Sequence, residues 1–500
     1  MVDHRPRYHL RPPAGWVNDP NAPVRVGDTY HLFCQFHPYA AVHSDIHWAH
    51  FTSTDLVRWR LHPPALVPGP GGPDADGCWS GTAVLVDGAP VLVYSGFRRP
   101  DEATQSVCLA WPDPGGPGWV KDPANPVLAG PPAGLGATIF RDPFVWRDGD
   151  GYTAVLGAGL GAGSDTPDRP VGAALLYRSP DLRRWRYVGP LCSATGPAFE
   201  DLATGTGWEC PQLVRWDGTD QALLVVSAWT PERLGPVYAV GGRLDGDRLL
   251  PEAVGRLDHG PDFYAPVVLT EQGEHGGRHL VWGWSWEARP AQVAADEGWA
   301  GVLTLPRVLG AGPDGRPRLA PAPELQALRG EAASWEDVHL DPGRPVVLDP
   351  GIGDTFELAA TLRPPAGGRA WLRVRSAPDG SEFTEIGVDA ATGQAYLSRE
   401  RASADPANAR GTFAVDIGAG GPDRATSLRV YVDRSIIEVF VDDVSALTAR
   451  VYPTRADSTG LAAGASAGVG LATVTAWPIE TAAVEVSTAA EPPRRAGPDR

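Results

Sequence analysis

The chain repeats a strand–turn–strand pattern five times between about residue 15 and residue 310. Each unit has a polar start, a short β-rich run, a Gly/Asp turn and then a strongly apolar strand, which is typical of a β-hairpin. The units start at Asp19, Ser80, Asp142, Glu209 and Asp262, which are 61, 62, 67 and 53 residues apart. Such a unit holds about four short strands, the size of a propeller blade with an extra loop. The repeat predicts an all-β fold with a five-bladed β-propeller over residues 1–315.

A polar, proline-rich connector is expected over residues 316–335, with one short helix-like piece, PELQALRG. Residues 336–486 return to short strands separated by turn residues, which predicts an antiparallel β-sandwich. One run in this part, VDRSIIEVFVD from Val432 to Asp442, carries acids, but its alternation indicates an ordinary sandwich strand. The last residues, 487–500, are expected to be a disordered tail.

The formal net charge of −17 disfavours nucleic acid, anionic membranes and other polyanions as partners. No apolar stretch approaches the length of a membrane span, and the opening MVDHRPRYHLRPPAGW does not resemble a secretory leader. The five cysteines are scattered, odd in number and without metal-binding spacing. These features favour a reduced, cytoplasmic protein. A homo-oligomer is neither predicted nor excluded by the sequence.

Four of the five unit starts are acidic. The innermost strands of all propeller blades converge on one central channel, so equivalent positions at their starts share one end of it. Asp19, Asp142 and Glu209 are therefore expected to meet, and Asp262 is a fourth candidate. The alternative is that each acid only caps a turn at the start of its blade.

Two carboxyl groups in different environments are what glycoside hydrolysis requires: one gives a proton to the leaving oxygen, and one attacks or activates water. Glu209 lies between Trp208 and Cys210, an apolar setting that would raise its pKa and favour the acid role. Asp142 follows Arg141, which would keep Asp142 ionised. The sequence thus indicates a carbohydrate-cleaving site.

A metal site is a weaker hypothesis. His43, His47 and His50 lie close together in HSDIHWAH, but in a strand His50 would face opposite to the other two. No downstream Cys or carboxylate completes a set of ligands. We therefore expect no metal ion and no cofactor.

The motifs WVNDPN (Trp16 to Asn21), FRDP (Phe140 to Pro143) and WECP (Trp208 to Pro211) closely resemble three motifs of glycoside hydrolase family 32. These are the β-fructofuranosidases: invertases, inulinases, levanases and sucrose-6-phosphate hydrolases. YHLFCQFHP, STDLVRW, DHGPDFYAP and LRVYVDRSIIEVFVDD also resemble segments of the family, so the resemblance covers nearly the whole chain. It implies a five-bladed propeller followed by a β-sandwich, the same architecture that the repeat predicts.

The resemblance also implies a role for each matched residue. Asp19 would be the nucleophile that attacks a terminal fructosyl unit, Glu209 the general acid/base, and Asp142 the residue that stabilises the transition state. The positions that match or lie near the fructose pocket of the family are Asn18, Gln35, His43, Trp48, Trp79, Ser80, Arg141, Tyr264 and Trp284, and Cys210 matches a cysteine that follows the acid/base in many members. Such retaining chemistry needs the two reacting carboxyls about 5 Å apart.

The chain departs from the family pattern in three places. Ala22 stands where glycine is common after NDPN, and the usual WGH is WAH. More consequentially, His43 stands eight residues after Gln35, where the family often has tryptophan. This replaces a flat apolar wall of the expected pocket with a smaller, polar one, which affects substrate preference and not the reaction.

The sequence predicts a retaining, exo-acting β-fructofuranosidase that hydrolyses sucrose or short fructo-oligosaccharides through a covalent fructosyl-enzyme. The lack of a leader favours a small imported substrate over a polymer outside the cell. Alternatives on the same scaffold are a fructosyltransferase, a levanase or inulinase, and a sucrose-6-phosphate hydrolase. An alternative of a different class is a fructan-binding propeller without catalysis, although the three intact acids speak against it.

Overall fold

The computed structural model describes residues 2–161, 170–271, 277–312, 316–418, 424–479 and 484–486. In these ranges the chain is built from strands, with one α-helix, α1 (Ala291–Glu297), and two short 3-10 helices (Pro197–Phe199 and Pro323–Leu328). None of these described helices is long and apolar enough to cross a membrane. The predicted all-β class is confirmed, and the tail predicted over 487–500 lies outside the described residues.

The N-terminal domain is a succession of five antiparallel meanders. The first contains β1 (Gly15–Val26), β2 (Thr29–His37), β3 (His47–Ser53) and β4 (Trp59–Leu66), and the second contains β5 (Gly77–Val86), β6 (Ala89–Arg98), β7 (Asp101–Pro112) and β8 (Trp119–Lys121). The third contains β9 (Ala137–Asp148), β10 (Gly151–Leu160), β11 (Val171–Ser179) and β12 (Arg186–Ser193), and the fourth contains β13 (Gly207–Arg215), β14 (Gln221–Thr230), β15 (Arg233–Asp245) and β16 (Arg248–Arg256). The fifth begins with β17 (Tyr264–Glu271) and β18 (Arg278–Ser285), continues through the short β19 (Trp299–Ala300), which pairs with β1, and β20 (Val302–Leu303), and ends with β21 (Arg307–Ala311) and β22 (Pro317–Pro321).

The first strands of the five meanders contact one another in cyclic order, β1 with β5, β5 with β9, β9 with β13, β13 with β17, and β17 with β1. Apolar side chains fill the spaces between neighbouring meanders; Leu32 and Phe51 of the first, for example, belong to the same buried cluster as Val267 and Leu280 of the fifth. Because the ring of first strands closes, residues near the start of each strand lie at one end of it.

A β-bulge interrupts the pairing of each first strand with the second strand of its meander. In four meanders two residues oppose one on the partner strand, within the spans Asn21 to Val24, Arg141 to Phe144, Glu209 to Gln212 and Tyr264 to Val267. In these four bulges the residue before the proline has a positive φ: Ala22 at 48°, Asp142 at 60°, Cys210 at 48° and Ala265 at 46°. Strand β5 has a bulge of one extra residue between Trp79 and Gly81. Bulges re-aim side chains, and here they do so at one end of the ring.

The bulges show that the three acids do not occupy equivalent repeat positions, contrary to the sequence prediction. Asp142 itself takes the positive-φ position, whereas Glu209 comes one residue before it, since Cys210 takes that position in its meander. Asp19 lies in an additional bulge of β1, between Val17 and Pro20, whereas the second irregularity of β9 lies at its start, between Ala137 and Ile139, and does not contain Asp142. Three different backbone placements therefore bring the acids to one end of the ring.

The C-terminal domain is a β-sandwich, as predicted. Its strands are β23 (Ala333–Leu340), β24 (Val346–Asp349), β25 (Thr355–Arg363), β26 (Arg369–Ser376), β27 (Thr384–Asp389), β28 (Gln394–Ser398), β29 (Thr412–Asp416), β30 (Thr426–Asp433), β31 (Ile436–Val441), β32 (Ser445–Arg450), β33 (Gly460–Ala465) and β34 (Gly470–Pro478). They form two six-stranded sheets, in the orders β23-β34-β25-β30-β31-β32 and β24-β33-β26-β27-β28-β29. Alternate residues of facing strands, such as Leu358, Val430, Leu372 and Ile386, are fully buried between the sheets.

The segment between the domains is shorter than the predicted connector over 316–335. Strand β22 (Pro317–Pro321) still pairs with β21 of the fifth meander, and β23 of the sandwich already begins at Ala333. The helix-like piece PELQALRG forms the 3-10 helix Pro323–Leu328 between them.

Each end of the chain is attached to the other domain. The backbone N–H groups of Arg7, Tyr8 and His9 donate to the carboxylate of Asp433 in the sandwich, at 2.7–2.9 Å. After the sandwich, β35 (Val484–Val486) pairs in parallel with β4 of the first meander. The predicted sandwich domain over 336–486 therefore ends in a strand that belongs to the N-terminal domain.

A buried ionic network also joins the two domains. Arg307 of β21 is fully buried, and its guanidinium donates to Asp258 at 2.7 Å, to Glu438 at 2.7 and 3.0 Å and to Thr448 at 2.6 Å. Glu438 and Thr448 belong to sandwich strands β31 and β32, and Glu438 also accepts the backbone N–H of Leu305 at 2.8 Å. The acid-bearing run that contains Glu438 is thus a structural strand, as its alternation predicts.

Candidate active site

A cavity of about 370 Å³ opens at the end of the ring where the first strands begin. Every first strand contributes to it. Its lining residues are Trp16, Asn18, Asp19, Gln35, His43, Trp79, Glu102, Arg141, Asp142, Glu209, Trp229, Leu234, Tyr264 and Trp284. The structure therefore brings Asp19, Asp142 and Glu209 together, which the sequence predicts, although hundreds of residues separate them.

Hydrogen bonds from three side chains hold the carboxylate of Asp19. Asn18 Nδ2 donates to Oδ1 at 3.1 Å, Gln35 Nε2 donates to Oδ2 at 3.1 Å, and the Ser80 hydroxyl also donates to Oδ2. Trp16 Nε1 donates to Asn18 Oδ1 at 2.9 Å, so the indole orients the amide that holds the carboxylate. These hydrogen bonds fix the orientation of the Asp19 carboxylate. The donors lie on two strands of its own meander, β1 and β2, and on β5 of the next meander.

Glu209 is held by a cation and a phenol. Arg141 Nε donates to Oε1 at 2.9 Å, and the Tyr264 hydroxyl donates to Oε2 at 2.5 Å. Trp208 is fully buried in the core between the third and fourth meanders. The apolar setting predicted for Glu209 is therefore wrong, because neighbours along a strand face opposite sides and do not describe each other's surroundings.

Asp142 has a different environment from the one its sequence neighbour suggests. Its Oδ2 accepts the backbone N–H of Cys210 at 3.1 Å, and its own N–H donates to Ser95 Oγ at 2.8 Å. The Arg141 guanidinium turns to Glu209 instead. Burial, followed by the charge of Glu209, raises the pKa of Asp142, and the opposing effect of Arg141 does not compensate. The prediction that Arg141 keeps Asp142 ionised is therefore wrong.

Three predicted site residues lie behind the cavity wall. Ser80 accepts a hydrogen bond from Gln35 at 2.6 Å while it donates to Asp19. The Cys210 thiol lies 3.6 Å from an oxygen of both Asp19 and Asp142, and burial raises its pKa. Trp48 does not line the cavity, contrary to prediction: it is fully buried, and its Nε1 donates to the backbone carbonyl of Trp79 at 3.2 Å.

Asp262, the fourth candidate acid, lies outside this cavity. Its Oδ2 accepts hydrogen bonds from Arg399 at 2.5 Å and from the backbone N–H of Arg450 at 2.7 Å, both in the sandwich. The carboxylate therefore stabilises the contact between the domains. Tyr264, two residues later, is the side chain of this meander that reaches Glu209.

His43 forms part of the cavity wall between two tryptophans. Its ring meets Trp79 edge-on at 5.2 Å between centroids and Trp16 at 6.0 Å. Burial lowers the pKa of His43 to about 4, so the imidazole is neutral at neutral pH and offers one donor and one acceptor.

Four residues that line the cavity are not among the predicted site residues: Trp16, Glu102, Trp229 and Leu234. Trp229 is the next-to-last residue of β14, as Trp284 is of β18, and the Arg141 guanidinium lies 5.1 Å from the centroid of the Trp229 ring. A tryptophan thus recurs near the end of the second strand in two meanders, and a comparison of the second strands could have identified Trp229. Glu102 lies at the start of β7, and its backbone carbonyl accepts from Arg141 at 2.9 Å.

The described residues contain no group of three or more His, Cys, Asp or Glu side chains arranged to hold a metal ion. Of the three histidines considered as ligands, His43 lines the cavity, and His50 stacks on Phe33 at 4.6 Å. The Nδ1 atom of His47 lies 2.6 Å from the backbone carbonyl oxygen of Asp45.

The ionisation of Asp19 predicts a pH limit. Burial, and after it the charge of Glu209, raises the pKa of Asp19 to about 6, although the hydrogen bond from Ser80 opposes the rise. If the ionised carboxylate is the reactive form, kcat/KM is expected to fall about tenfold per pH unit below pH 6 and to level off above it on this limb. A pH profile of kcat/KM from 4 to 8 measures the effect. A limb with its midpoint near pH 4, the ordinary value for aspartate, would contradict it.

Comparison with known proteins places this site in a family. The model of the "Glycosyl hydrolases family 32 N-terminal domain" matches residues 9–321, and that of "Glycosyl hydrolases family 32 C terminal" matches residues 324–478. The chain is 36% identical over 376 residues to β-fructofuranosidase, insoluble isoenzyme 2, of Oryza sativa subsp. indica, a match that spans 68% of this chain and 60% of that protein.

Two further relatives match nearly the whole chain. Raffinose invertase of Escherichia coli is 32% identical over 91% of this chain and 90% of its own length. The crystal structure of fructan 1-exohydrolase IIa from Cichorium intybus superposes with a TM-score of 0.82 at 25% identity and covers 97% of this chain and 100% of that one. The chain belongs to glycoside hydrolase family 32.

Proposed function

We propose that this protein is an exo-acting β-fructofuranosidase that hydrolyses terminal fructosyl units of sucrose and short fructo-oligosaccharides with retention of configuration. The observation that carries the proposal is the single cavity in which Asp19 is held by neutral donors and Glu209 by Arg141 and Tyr264. Two carboxyl groups in such different surroundings can take the two roles that retaining glycoside hydrolysis needs. The relatives named above are a β-fructofuranosidase, an invertase and a fructan exohydrolase.

We also propose that the N-terminal domain is a five-bladed β-propeller. Five successive meanders and the cyclic contacts of their first strands support this architecture. In this fold the cavity lies at one end of the central channel. A fructosyl unit enters the cavity end-on, which favours exo action. The cytoplasmic location stays a prediction.

In the first step of the proposed mechanism, Glu209 gives a proton to the glycosidic oxygen while Asp19 attacks the anomeric carbon. The bond from that carbon to the leaving oxygen breaks, and a bond to the Asp19 carboxylate forms. In this step Asp19 reacts as the ionised carboxylate, and the proton that the leaving oxygen takes up comes from Glu209. Burial raises the pKa of Asp142, which favours the neutral form of this third carboxyl.

In the second step, Glu209 takes a proton from water, and the resulting hydroxide attacks the anomeric carbon and releases Asp19. The hydrogen bonds from Arg141 and Tyr264 orient the Glu209 carboxyl for this proton transfer. Asp142 lies on the cavity wall beside the Cys210 backbone, in a position to bind fructose hydroxyls. Trp16, Trp79 and Trp284 offer apolar faces to the sugar rings.

The proposal is tested by measuring glucose and fructose release from sucrose, short fructo-oligosaccharides, inulin and levan. We expect the highest kcat/KM with the short substrates and single fructose units as the first product. The anomer formed in the first turnovers, followed by NMR, distinguishes retention from inversion. Release from none of these substrates would overturn the proposal, and initial products longer than one fructose would overturn exo action.

The charge of the cavity predicts discrimination against phosphorylated substrates. Among the lining residues Arg141 is the one permanent cation, and Glu209 and the carbonyls of Glu102 and Ala103 already accept its N–H groups. The exposed side chain of Glu102 adds a negative charge to this wall. We therefore expect kcat/KM for sucrose 6-phosphate to be at least about tenfold below that for sucrose.

The negative charge that Glu102 adds to the cavity wall can be removed by a single substitution. The substitution Glu102→Gln is expected to reduce the ratio of the two kcat/KM values while leaving sucrose hydrolysis nearly unchanged, and Glu252→Gln, at an exposed acid far from the cavity, serves as the matched control. Steady-state kinetics at low salt measure the ratio, since screening weakens the effect. Equal kcat/KM values for the two substrates in the unmodified protein would refute the electrostatic argument.

A further inference from the structure

A second, larger cavity of about 950 Å³ lies at the opposite end of the same five first strands. Strand β9, which brings Asp142 into the catalytic cavity, brings Phe144, Trp146 and Arg147 into this one, and β13 passes in the same way from Glu209 to Arg215. All five first strands contribute to both cavities. The proposed reaction uses none of the residues that line the second cavity.

The charge around the second cavity differs from that of the catalytic one. Arg25, Arg147 and Arg215 line it, together with the acids Asp217 and Glu271. The Glu271 carboxylate is already paired with Arg25, at 3.1 Å, and with Arg278 of β18, at 2.6 Å. Its charge therefore does not neutralise the remaining two arginines.

Arg147 and Arg215 have no ion pair within the ranges that the structure describes. Each guanidinium instead lies over an aromatic ring, Arg215 at 5.3 Å from the centroid of Trp146 and Arg147 at 5.7 Å from that of Tyr152. In a chain with a net charge of −17, two arginines that line a cavity and have no carboxylate partner among the described residues, with Asp217 as the one lining acid not paired to another arginine there, favour binding of an anion.

Aromatic side chains give the same cavity flat apolar surfaces. Phe144 and Trp146 lie 5.7 Å apart between ring centroids, and Trp216 is half-buried in the wall on the fourth meander. The buried indole N–H of Trp146 has no hydrogen-bond partner in the part of the chain that the structure describes. Aromatic faces beside guanidinium groups suit a ligand that combines a ring with a phosphate, since the ring packs on the aromatic surface and the phosphate takes two N–H donors.

We propose that this second cavity is a binding site for a phosphorylated monosaccharide. Its phosphate binds to Arg147 and Arg215, and its ring packs against Phe144 and Trp216. The volume accommodates a hexose phosphate, since the catalytic cavity, which is proposed to take a fructosyl unit, is less than half as large. The site is separate from the catalytic one and does not depend on the reaction proposed for it.

The test is calorimetric titration of the full chain with fructose 6-phosphate. The Asp19→Asn variant, saturated with sucrose to occupy the catalytic cavity, is titrated beside the unmodified protein. We expect one site per chain in both, with a Kd of about 1 mM or below. Arg147→Gln and Arg215→Gln are expected to weaken binding at least about tenfold each, and Arg318→Gln, at an exposed arginine outside both cavities, to leave it unchanged.

Fructose and inorganic phosphate, titrated separately, show whether the ring and the anion are both needed. Sucrose hydrolysis by the two arginine variants shows that they are folded, since neither residue lies in the catalytic cavity. No binding, binding that saturating sucrose abolishes, equally tight binding of free phosphate or fructose, or unchanged binding in both arginine variants would each overturn the proposal.

Discussion

The Asp19→Asn variant is expected to lose fructose release by at least about 10³-fold, because asparagine cannot form the covalent intermediate that the proposed mechanism requires. Its amide is isosteric with the carboxylate, and its one oxygen can keep the contacts with Gln35 and Ser80 that Oδ2 accepts, whereas the contact of Asn18 with Oδ1 is lost. The loss should therefore appear in kcat, with the substrate still bound. Initial rates on sucrose measure it, with Glu252→Gln as the matched control. A variant that retained a tenth of the activity would remove Asp19 from the nucleophile role.

The same variant is expected to be more stable than the unmodified protein at neutral pH. Asp19 has a pKa of about 6 in the folded protein and 3.8 as its ordinary value, so the folded state holds the proton more tightly than the unfolded chain. The stability that this protonation provides is complete below pH 3.8 and is lost as the pH rises through 6. Removing the charge should thus raise the free energy of unfolding by about 1–3 kcal/mol at pH 7.5.

This gain in the free energy of unfolding should depend on pH, which the effect of an uncharged structural contact would not. It should shrink as the pH falls from 7.5 toward 4, since the unmodified protein then carries a protonated Asp19. Urea unfolding at several pH values measures the difference between the two proteins. A variant less stable at pH 7.5 would show that the hydrogen bonds to the carboxylate outweigh the burial of its charge.

The largest stability effect is expected from Arg307→Met. This substitution leaves the carboxylates of Asp258 and Glu438 buried without their cation, and both lie between the domains. Breaking a buried ion pair by removing one partner costs about 3–5 kcal/mol. Denaturant unfolding should show a loss of this size, with sucrose hydrolysis at low temperature retained as long as the protein stays folded.

A surface arginine provides the control for the Arg307 prediction. Arg178 pairs with Asp247 at 2.6 Å, and both side chains are more than 40% exposed. Arg178→Met is expected to change the free energy of unfolding by at most about 1 kcal/mol, since exposed pairs contribute little. Equal effects of the two substitutions would show that burial of the network is not what makes Arg307 important.

The five meanders could be predicted from sequence because turns and strand alternation are local signals that repeat about every 60 residues. The sequence also indicated that Asp19, Asp142 and Glu209 meet. It could not indicate how, since the offset between them depends on bulges, and the additional bulge at Asp19 is visible only in the pairing of β1 with β2. The three motifs thus predict the end of the ring at which the acids lie, although the acids do not occupy equivalent positions along the backbone.

The surroundings of individual side chains were predicted less well. Adjacent residues in the sequence do not describe the surroundings of Glu209 and Asp142, because partners from other meanders hold them: Arg141 and Tyr264 hold Glu209, and Ser95 and Cys210 bond Asp142. Trp48 was placed in the pocket by its motif, yet it supports Trp79 from behind. Contacts between repeats are long-range, and a local pattern carries no information about them.

The crossed attachment of the two chain ends has a consequence for how the molecule is made. The five meanders are synthesised before the sandwich, so the edge of β4 cannot pair with Val484–Val486 until the sandwich has been made. The N–H groups around Tyr8 likewise find their acceptor, Asp433, only after more than 400 further residues have been added. Two contacts of the N-terminal domain therefore form only after the residues of the sandwich have been synthesised.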